Sequence, residues 1–274
     1  MKKWVSILLA LSLALVLAAC GSSNSTEKSG LTKLVVGASN VPHAEILEQA
    51  KPILEKKGID LKIVKFQDYV LPNKALQSKE LDANYFQHIP YLKSQIKDNG
   101  YDFVSAGGIH IEPIGVYSKK YKKLSDLPKG AHLIMSNSVA DHGRLLSLLE
   151  AQGLIKLKEG IDKTTATVKD VVDNPKGLKF DTNYEAALLP KIYNNGEGDA
   201  VLINSNYAID AGLNPLKDSI AIEDKNSPYV NIIAVRRGDE NKKEIKTLVD
   251  VLHSKEIQDF ILKQYKGAVV PVSK

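Results

Sequence analysis

The chain has one cysteine, one tryptophan and two methionines among its 274 residues, and aromatic residues make up only 6% of it. A single thiol excludes an intramolecular disulfide framework, so packing and hydrogen bonding must hold the fold together. No phosphate-cradling G-x-x-x-x-G-K run occurs, and neither a G-x-S-x-G nucleophile elbow nor an H-E-x-x-H zinc helix is present. The compact signatures of P-loop NTPases, α/β-hydrolases and zinc proteases are therefore missing, although catalytic groups dispersed along a chain leave no such trace. Lysines and acids are interspersed without a dense basic block or interleaved aromatics. That pattern speaks for a solvated charged surface and against a nucleic-acid partner. The expectation is a protein without cofactor, resident metal or catalytic turnover.

Long apolar runs are scarce too, with one exception. Lys2 and Lys3 precede a nearly unbroken apolar stretch of 16 residues, 4–19, which stops at Cys20. This is short for a bilayer span, is positively flanked and ends in small residues, as a cleaved secretory peptide does. Leu17-Ala18-Ala19-Cys20-Gly21 resembles a bacterial lipobox, in which the thiol is diacylated and the preceding peptide removed. Residues 1–19 are then a signal peptide, and 20–32 a lipidated N-terminus and flexible linker reading GSSNSTEKSG from Gly21. Two acyl chains, at about 0.8 kcal/mol per buried methylene, anchor a protein far more firmly than one. The expected location is the extracytoplasmic face of the cell membrane. An uncleaved anchor with an incidental cysteine is the alternative. Removing residues 1–19 takes away two lysines and no acid, which leaves the formal charge of +5 lower by two and the body weakly basic.

The body alternates short β-rich runs with segments of helical spacing, the order expected of α/β architecture. Strands are expected at 34–38, 61–66, 102–106, 109–117, 132–135, 200–203 and 229–235. Helices are expected at 42–57, 69–79, 87–99, 139–152, 183–193, 241–252 and 254–263. Polar, lysine-rich residues 119–123 and the polar stretch 224–228 mark places where the chain could leave and re-enter a lobe. The fold predicted is two-lobed, with residues 33–117 plus 230–274 as lobe 1, 118–229 as lobe 2, and a cleft between lobes joined by two crossing strands. Ligands of open α/β sheets sit beyond the carboxyl ends of strands, and a cleft between lobes closes by hinge motion.

Three regions carry chemistry. Asp82-Ala83-Asn84-Tyr85-Phe86-Gln87-His88-Ile89-Pro90-Tyr91 crowds aromatics and a histidine at a strand end. Such rings can sandwich an apolar or thioether group, at about 0.3–1.5 kcal/mol per sulfur contact, or can simply pack a core. Asn137 to Arg144 opens a helix whose amides and guanidinium could bind a carboxylate, unless Arg144 only pairs with Asp141 on the surface. Asn204 at a strand end and Asn231 inside an apolar strand need hydrogen-bond partners if buried, from ligand, backbone or water. His43, His88, His110, His132 and His142 lie near element ends, but no pair has tight metal-ligand spacing, and ordinary polar or half-buried roles are expected.

Taken together, DANYFQHIPYL, the Val201 to Ala208 segment and Glu223 to Asn231 (EDKNSPYVN) resemble the methionine-binding lipoproteins of bacterial ABC importers over essentially all of the body. The resemblance implies a two-lobed periplasmic-binding-protein fold that captures L-methionine or a close derivative for a membrane permease and its ATPase. It implies that Tyr69, Tyr85, Phe86 and His88 line a thioether pocket, that Arg144 holds the carboxylate, and that Asn204 and Asn231 bind the polar end. Tyr85 departs from members with an aliphatic residue at that position. Some relatives resemble receptors for methionine-containing dipeptides, D-methionine or methionine sulfoxide. A receptor for another ligand such as a metal ion, a lipid-anchored enzyme and an adhesin are the alternatives.

Overall fold

A computed structural model of the chain describes residues 30–225 and 227–273. The expected signal peptide, Cys20 and most of the linker lie outside the described residues.

From Thr32 onward the chain forms two mixed sheets. It enters the first with β1 (Thr32–Ser39), β2 (Ile59–Phe66), β3 (Ala83–His88) and β4 (Phe103–Ile111). It then builds the second with β5 (Gly115–Tyr117) and β6 (His132–Ser136). A small hairpin follows, β7 (Lys156–Leu157) and β8 (Val171–Asp173), before β9 (Lys179–Tyr184), β10 (Ala200–Ile203) and β11 (Ser219–Ile222). β12 (Val230–Arg236) and β13 (Val270–Pro271) return to the first sheet. The strand orders are β13-β4-β12-β3-β1-β2 and β11-β5-β10-β6-β9. The chain therefore crosses between sheets twice, at 112–114 and at 223–229.

β1 runs parallel to β2 and β3, and β10 and β9 run parallel to β6, while β12, β13, β5 and β11 pair antiparallel with their neighbours. Parallel pairing needs helical crossovers, and these cover both faces of each sheet. The helices Glu45–Lys56, Lys243–Leu252 and Lys255–Tyr265 bury Leu47, Leu54, Leu248 and Ile261 on one face of the first sheet. Leu76, Leu92 and Phe103 fill the other. In the second sheet Leu145, Leu146 and Leu149 of the helix Val139–Ala151 pack one face, and Leu189 and Ile192 the other. Each such side chain contributes about 1.5–3 kcal/mol by leaving water.

Several expected boundaries differ. The extended run 109–117 is broken at Glu112–Ile114 because the chain changes sheets there, so β5 belongs with β10 and β11. The segment 183–193 is not one helix. It holds the end of β9, a 3-10 turn at Ala186–Leu188 and the short helix Leu189–Asn194 with Pro190 in its first turn, where a missing N–H costs nothing. Residues 87–88 complete β3, and the following helix starts at Ile89 with Pro90 in its first turn and His88 as N-cap. Tyr69 precedes the helix Leu71–Gln77. No helix among the described residues is long and apolar enough to cross a membrane.

Candidate functional site

Residues at or just beyond the carboxyl ends of β3, β6 and β10 line one cavity, and β1 brings His43 against the lining residue Asn231. β1 leads into the turn that carries His43, β3 ends at His88, β6 leads to Ser138, and β10 ends just before Asn204. The central strand β12 completes the arrangement, because its register sets Asn231 opposite His88 on one side and opposite His110 on the other. The space of this cavity, counted out to where it opens to solvent, is about 410 Å³.

One wall is aromatic. Tyr69, Phe86 and Tyr91 stand with ring centroids 5.9–6.0 Å apart, and His88 lies 6.3 Å from Tyr91. These rings are held rather than loose. Tyr91 donates its hydroxyl to the Tyr69 carbonyl at 2.9 Å, Tyr69 donates to Asn206 Oδ1 at 2.6 Å, and His88 Nδ1 accepts the Tyr91 backbone N–H at 3.1 Å. Burial and the nearby Arg144 charge hold the His88 pKa well below the usual imidazole range, so it presents a neutral ring.

The rest of the lining is polar and largely buried. Arg144 is 4% exposed and pairs with Glu223 through Nε, at 3.2 and 3.1 Å, and through Nη2. Nη2 also donates to the Glu112 carbonyl at 2.8 Å, and the guanidinium lies 4.5 Å from the centre of the Tyr229 ring. Burial opposes its charge, but Glu223 and Asp141 outweigh that and raise the pKa above the usual arginine value. A surface Arg144–Asp141 pair is thus not what forms. Asp141 instead accepts hydrogen bonds from Ser136 Oγ at 2.8 Å and Asn204 Nδ2 at 3.2 Å, and burial raises its pKa. Asn204 Oδ1 is buried with no hydrogen-bond partner, although it belongs to a cavity-lining residue. An orphaned acceptor of that kind is costly unless a ligand or water donates to it.

Of the residues expected in the site, Tyr69, Phe86, His88, Arg144, Asn204 and Asn231 line the cavity. Tyr85 does not. Strand alternation turns it into the core of the first sheet, where its ring meets the edge of His43 at 4.6 Å and its hydroxyl bonds His110 Nδ1. Gln87 lines the cavity but spends its amide on Asn73 and Asn84, 2.9 Å from each. Tyr91, Glu112, Ser138, Asp141, Ser205 and Asn206 line it as well and had no assigned role. Tyr91 is visible in the aromatic cluster and Asp141 beside Arg144; Glu112 is a cleft-lining candidate from the sequence without a firm role, and Asn206 offers only polar character near a strand end.

The histidines divide in two. His43 and His110 meet Glu112 with ligand-capable atoms within 4.8 Å of one another, a grouping that their separation in sequence conceals. His142 bonds the Ser136 carbonyl at 2.8 Å, and His132 lies 3.9 Å from Asp181.

The pattern of the NlpA lipoprotein family matches residues 34–273. This chain belongs to the NlpA lipoprotein family. Its similarity to the methionine-binding lipoprotein MetQ of Bacillus subtilis (strain 168) is 54% identity over 275 residues and 100% of both chains. The D-methionine-binding lipoprotein MetQ of Escherichia coli (strain K12) is 40% identical over 258 residues, 94% of this chain and 93% of that one. A nutrient-binding protein from Burkholderia cenocepacia, solved bound to methionine, superposes with a TM-score of 0.82 at 47% identity, covering 87% of this chain and 99% of the other. These NlpA relatives are described as binding proteins, not enzymes. With such neighbours, the two sheets and the cavity between them form the two-lobed fold of substrate-binding proteins.

Proposed function

We propose that the chain is a lipid-anchored extracytoplasmic receptor that captures L-methionine and delivers it to the permease and ATPase of an ABC importer. One observation carries the reading: a single cavity lined both by aromatic rings and by Arg144, Asn231 and the unpartnered Asn204 carbonyl. A thioether chain suits the rings, and a zwitterion suits the polar wall. Relatives described as binding methionine support the same ligand. Nothing in this role asks for turnover. The two sheets act as lobes, and the crossings at 112–114 and 223–229 act as the hinge. Cys20, acylated, tethers the receptor and raises its effective concentration near the permease.

A second reading, a methionine-containing dipeptide, is favoured by an adjoining hollow that shares Tyr69, Tyr91 and Ser138 with the cavity and is flanked by Asp68 and Glu185. Mass spectrometry of small molecules released when the purified protein is denatured separates the two, with calorimetry on the emptied protein to follow. Released methionine and tight rebinding of it are expected. Failure of methionine and its simple derivatives to bind ligand-free protein overturns the receptor reading.

A further inference from the structure

Behind the polar wall His43, His110 and Tyr85 form a hydrogen-bonded relay that ends on two lining residues, Asn231 and Glu112. His43 Nε2 faces two acceptors, Asn231 Oδ1 at 3.0 Å and Glu112 Oε1 at 3.2 Å. His110 Nε2 lies 2.7 Å from the same Glu112 oxygen, and its Nδ1 receives the Tyr85 hydroxyl. All five side chains are buried, and His43 and His110 are 1% and 0% exposed.

The proton positions follow from this geometry. Burial pushes the pKa of His43 down to about 4 and that of His110 to about 3, so each ring is neutral at pH 7 and carries one N–H. A ring nitrogen facing a carboxylate and an amide oxygen must be the protonated one. His43 is then the Nε2–H tautomer, which leaves Nδ1 bare, in accord with its being buried without a partner. Asn231 has its oxygen occupied by His43, so its NH₂ remains to donate into the cavity. Both imidazole donors land on one oxygen of Glu112, whose carboxylate lines the cavity with acceptor capacity to spare.

We infer that His43, seconded by His110, is a positioning residue that sets the donor and acceptor polarity of the cleft, so that its occupant must carry a protonated amine beside its carboxylate. The inference rests on the receptor reading above and deepens it. The lining sets acceptors, at Glu112 and the unpartnered Asn204 oxygen, beside donors, at Asn231 and Arg144, as an ammonium and a carboxylate on neighbouring atoms require. Charge agrees. Arg144 is neutralised by Glu223, whereas neither Glu112 nor Asp141 forms an ion pair with a lysine or arginine among the described residues. An entering ammonium therefore meets carboxyl oxygens that no lysine or arginine among the described residues already claims.

The test compares L-methionine with its α-hydroxy analogue, 2-hydroxy-4-(methylthio)butanoate, by calorimetry on the full chain. Wild type is expected to prefer methionine by about 100-fold or more, because a site built for a charged donor rejects a ligand lacking it. His43→Leu is expected to shrink that preference to below about 10-fold, chiefly by weakening methionine. His43→Gln, which keeps an N–H donor toward Asn231 and Glu112, is expected to restore most of it. Glu112→Gln is expected to shrink the preference independently of whether His43→Leu folds. Equal affinity of wild type for the two compounds overturns the inference while leaving the receptor reading intact. An equal loss for both compounds in His43→Leu reduces His43 to a structural role and also overturns it. One equivalent of Zn²⁺ bound tightly by wild type and lost in His43→Leu would replace the relay with a metal centre. Absence of methionine binding altogether overturns the receptor reading and this inference with it.

Discussion

Arg144 and Glu223, 79 positions apart in the chain, form a buried ion pair at the point where the chain passes between its two sheets. Glu223 bonds Ile114 through both backbone and side chain, at 3.0 and 3.3 Å, and Arg144 reaches the carbonyl of Glu112 in the same crossing. Arg144, which lines the cavity, is thus fastened to the segment where the chain changes sheets. Removing one partner of a buried pair leaves a charge without its counter-ion. Glu223→Ala is expected to cost about 3 kcal/mol of stability by urea titration. Arg144→Ala is expected to weaken methionine binding by roughly 1–3 kcal/mol in calorimetry. Unchanged affinity in Arg144→Ala would remove it from the site.

The aromatic wall makes a prediction about sulfur. Norleucine, which has a methylene where methionine has its thioether, is expected to bind more weakly by about 1 kcal/mol, the scale of one or two sulfur–ring contacts. Phe86→Ala is expected to erase most of that difference. Equal binding of the two amino acids to wild type would show that the rings act only as apolar surface.

Gly143, next to Arg144 on the helix Val139–Ala151, has no room for a side chain, since a Cβ there would land on the backbone carbonyl of Lys163. Backbone gives way poorly. Gly143→Ala is expected to destabilise the fold by about 1–3 kcal/mol despite alanine's better helix propensity, measurable as a lowered Tm.

Methionine affinity should depend on pH through Glu112. Burial raises its pKa above the usual carboxylate value, with the neighbouring His43 ring and the Arg144 charge acting in the opposite direction. An ammonium bound beside it lowers that pKa, so binding releases a proton and affinity rises with pH through the range in which the empty site titrates. Calorimetry in buffers of different ionisation heat reads the released proton directly. No buffer dependence between about pH 5 and 8 would show Glu112 already ionised or remote from the ligand.

Stability should depend on pH through His43. Its pKa falls from 6.5 to about 4 on folding, because burial disfavours the imidazolium. Between those values the unfolded chain binds more protons than the folded one, so stability is full above pH 6.5 and declines as pH drops toward 4. The loss from this group is about 3 kcal/mol, at 1.36 kcal/mol per pH unit. Unfolding curves at neutral and mildly acid pH are expected to converge in His43→Gln relative to wild type, since the variant lacks this proton uptake.

Local pattern sufficed for much of this protein. Sequence alone determined the strands Ala200–Ile203 and Val230–Arg236 to within a residue, and the helices Val139–Ala151 and Lys255–Tyr265 to within about two, because apolar periodicity and glycine or serine stops are properties of neighbours in the chain. The same holds for the aromatic cluster around Phe86 and His88, whose rings are adjacent in sequence. Tertiary structure decided the rest. Whether Tyr85 or Phe86 faces the cavity depends on which side of β3 meets the second sheet, and that Arg144 answers to Glu223 and not to Asp141 depends on where the chain crosses back. His43, His110, Glu112 and Asn231 become one relay only because β12 lies between β3 and β4 while β1 delivers His43 from the far side of β3. Strand order is a long-range property, set by how whole sheet faces bury their apolar surface, and no short window of sequence carries it.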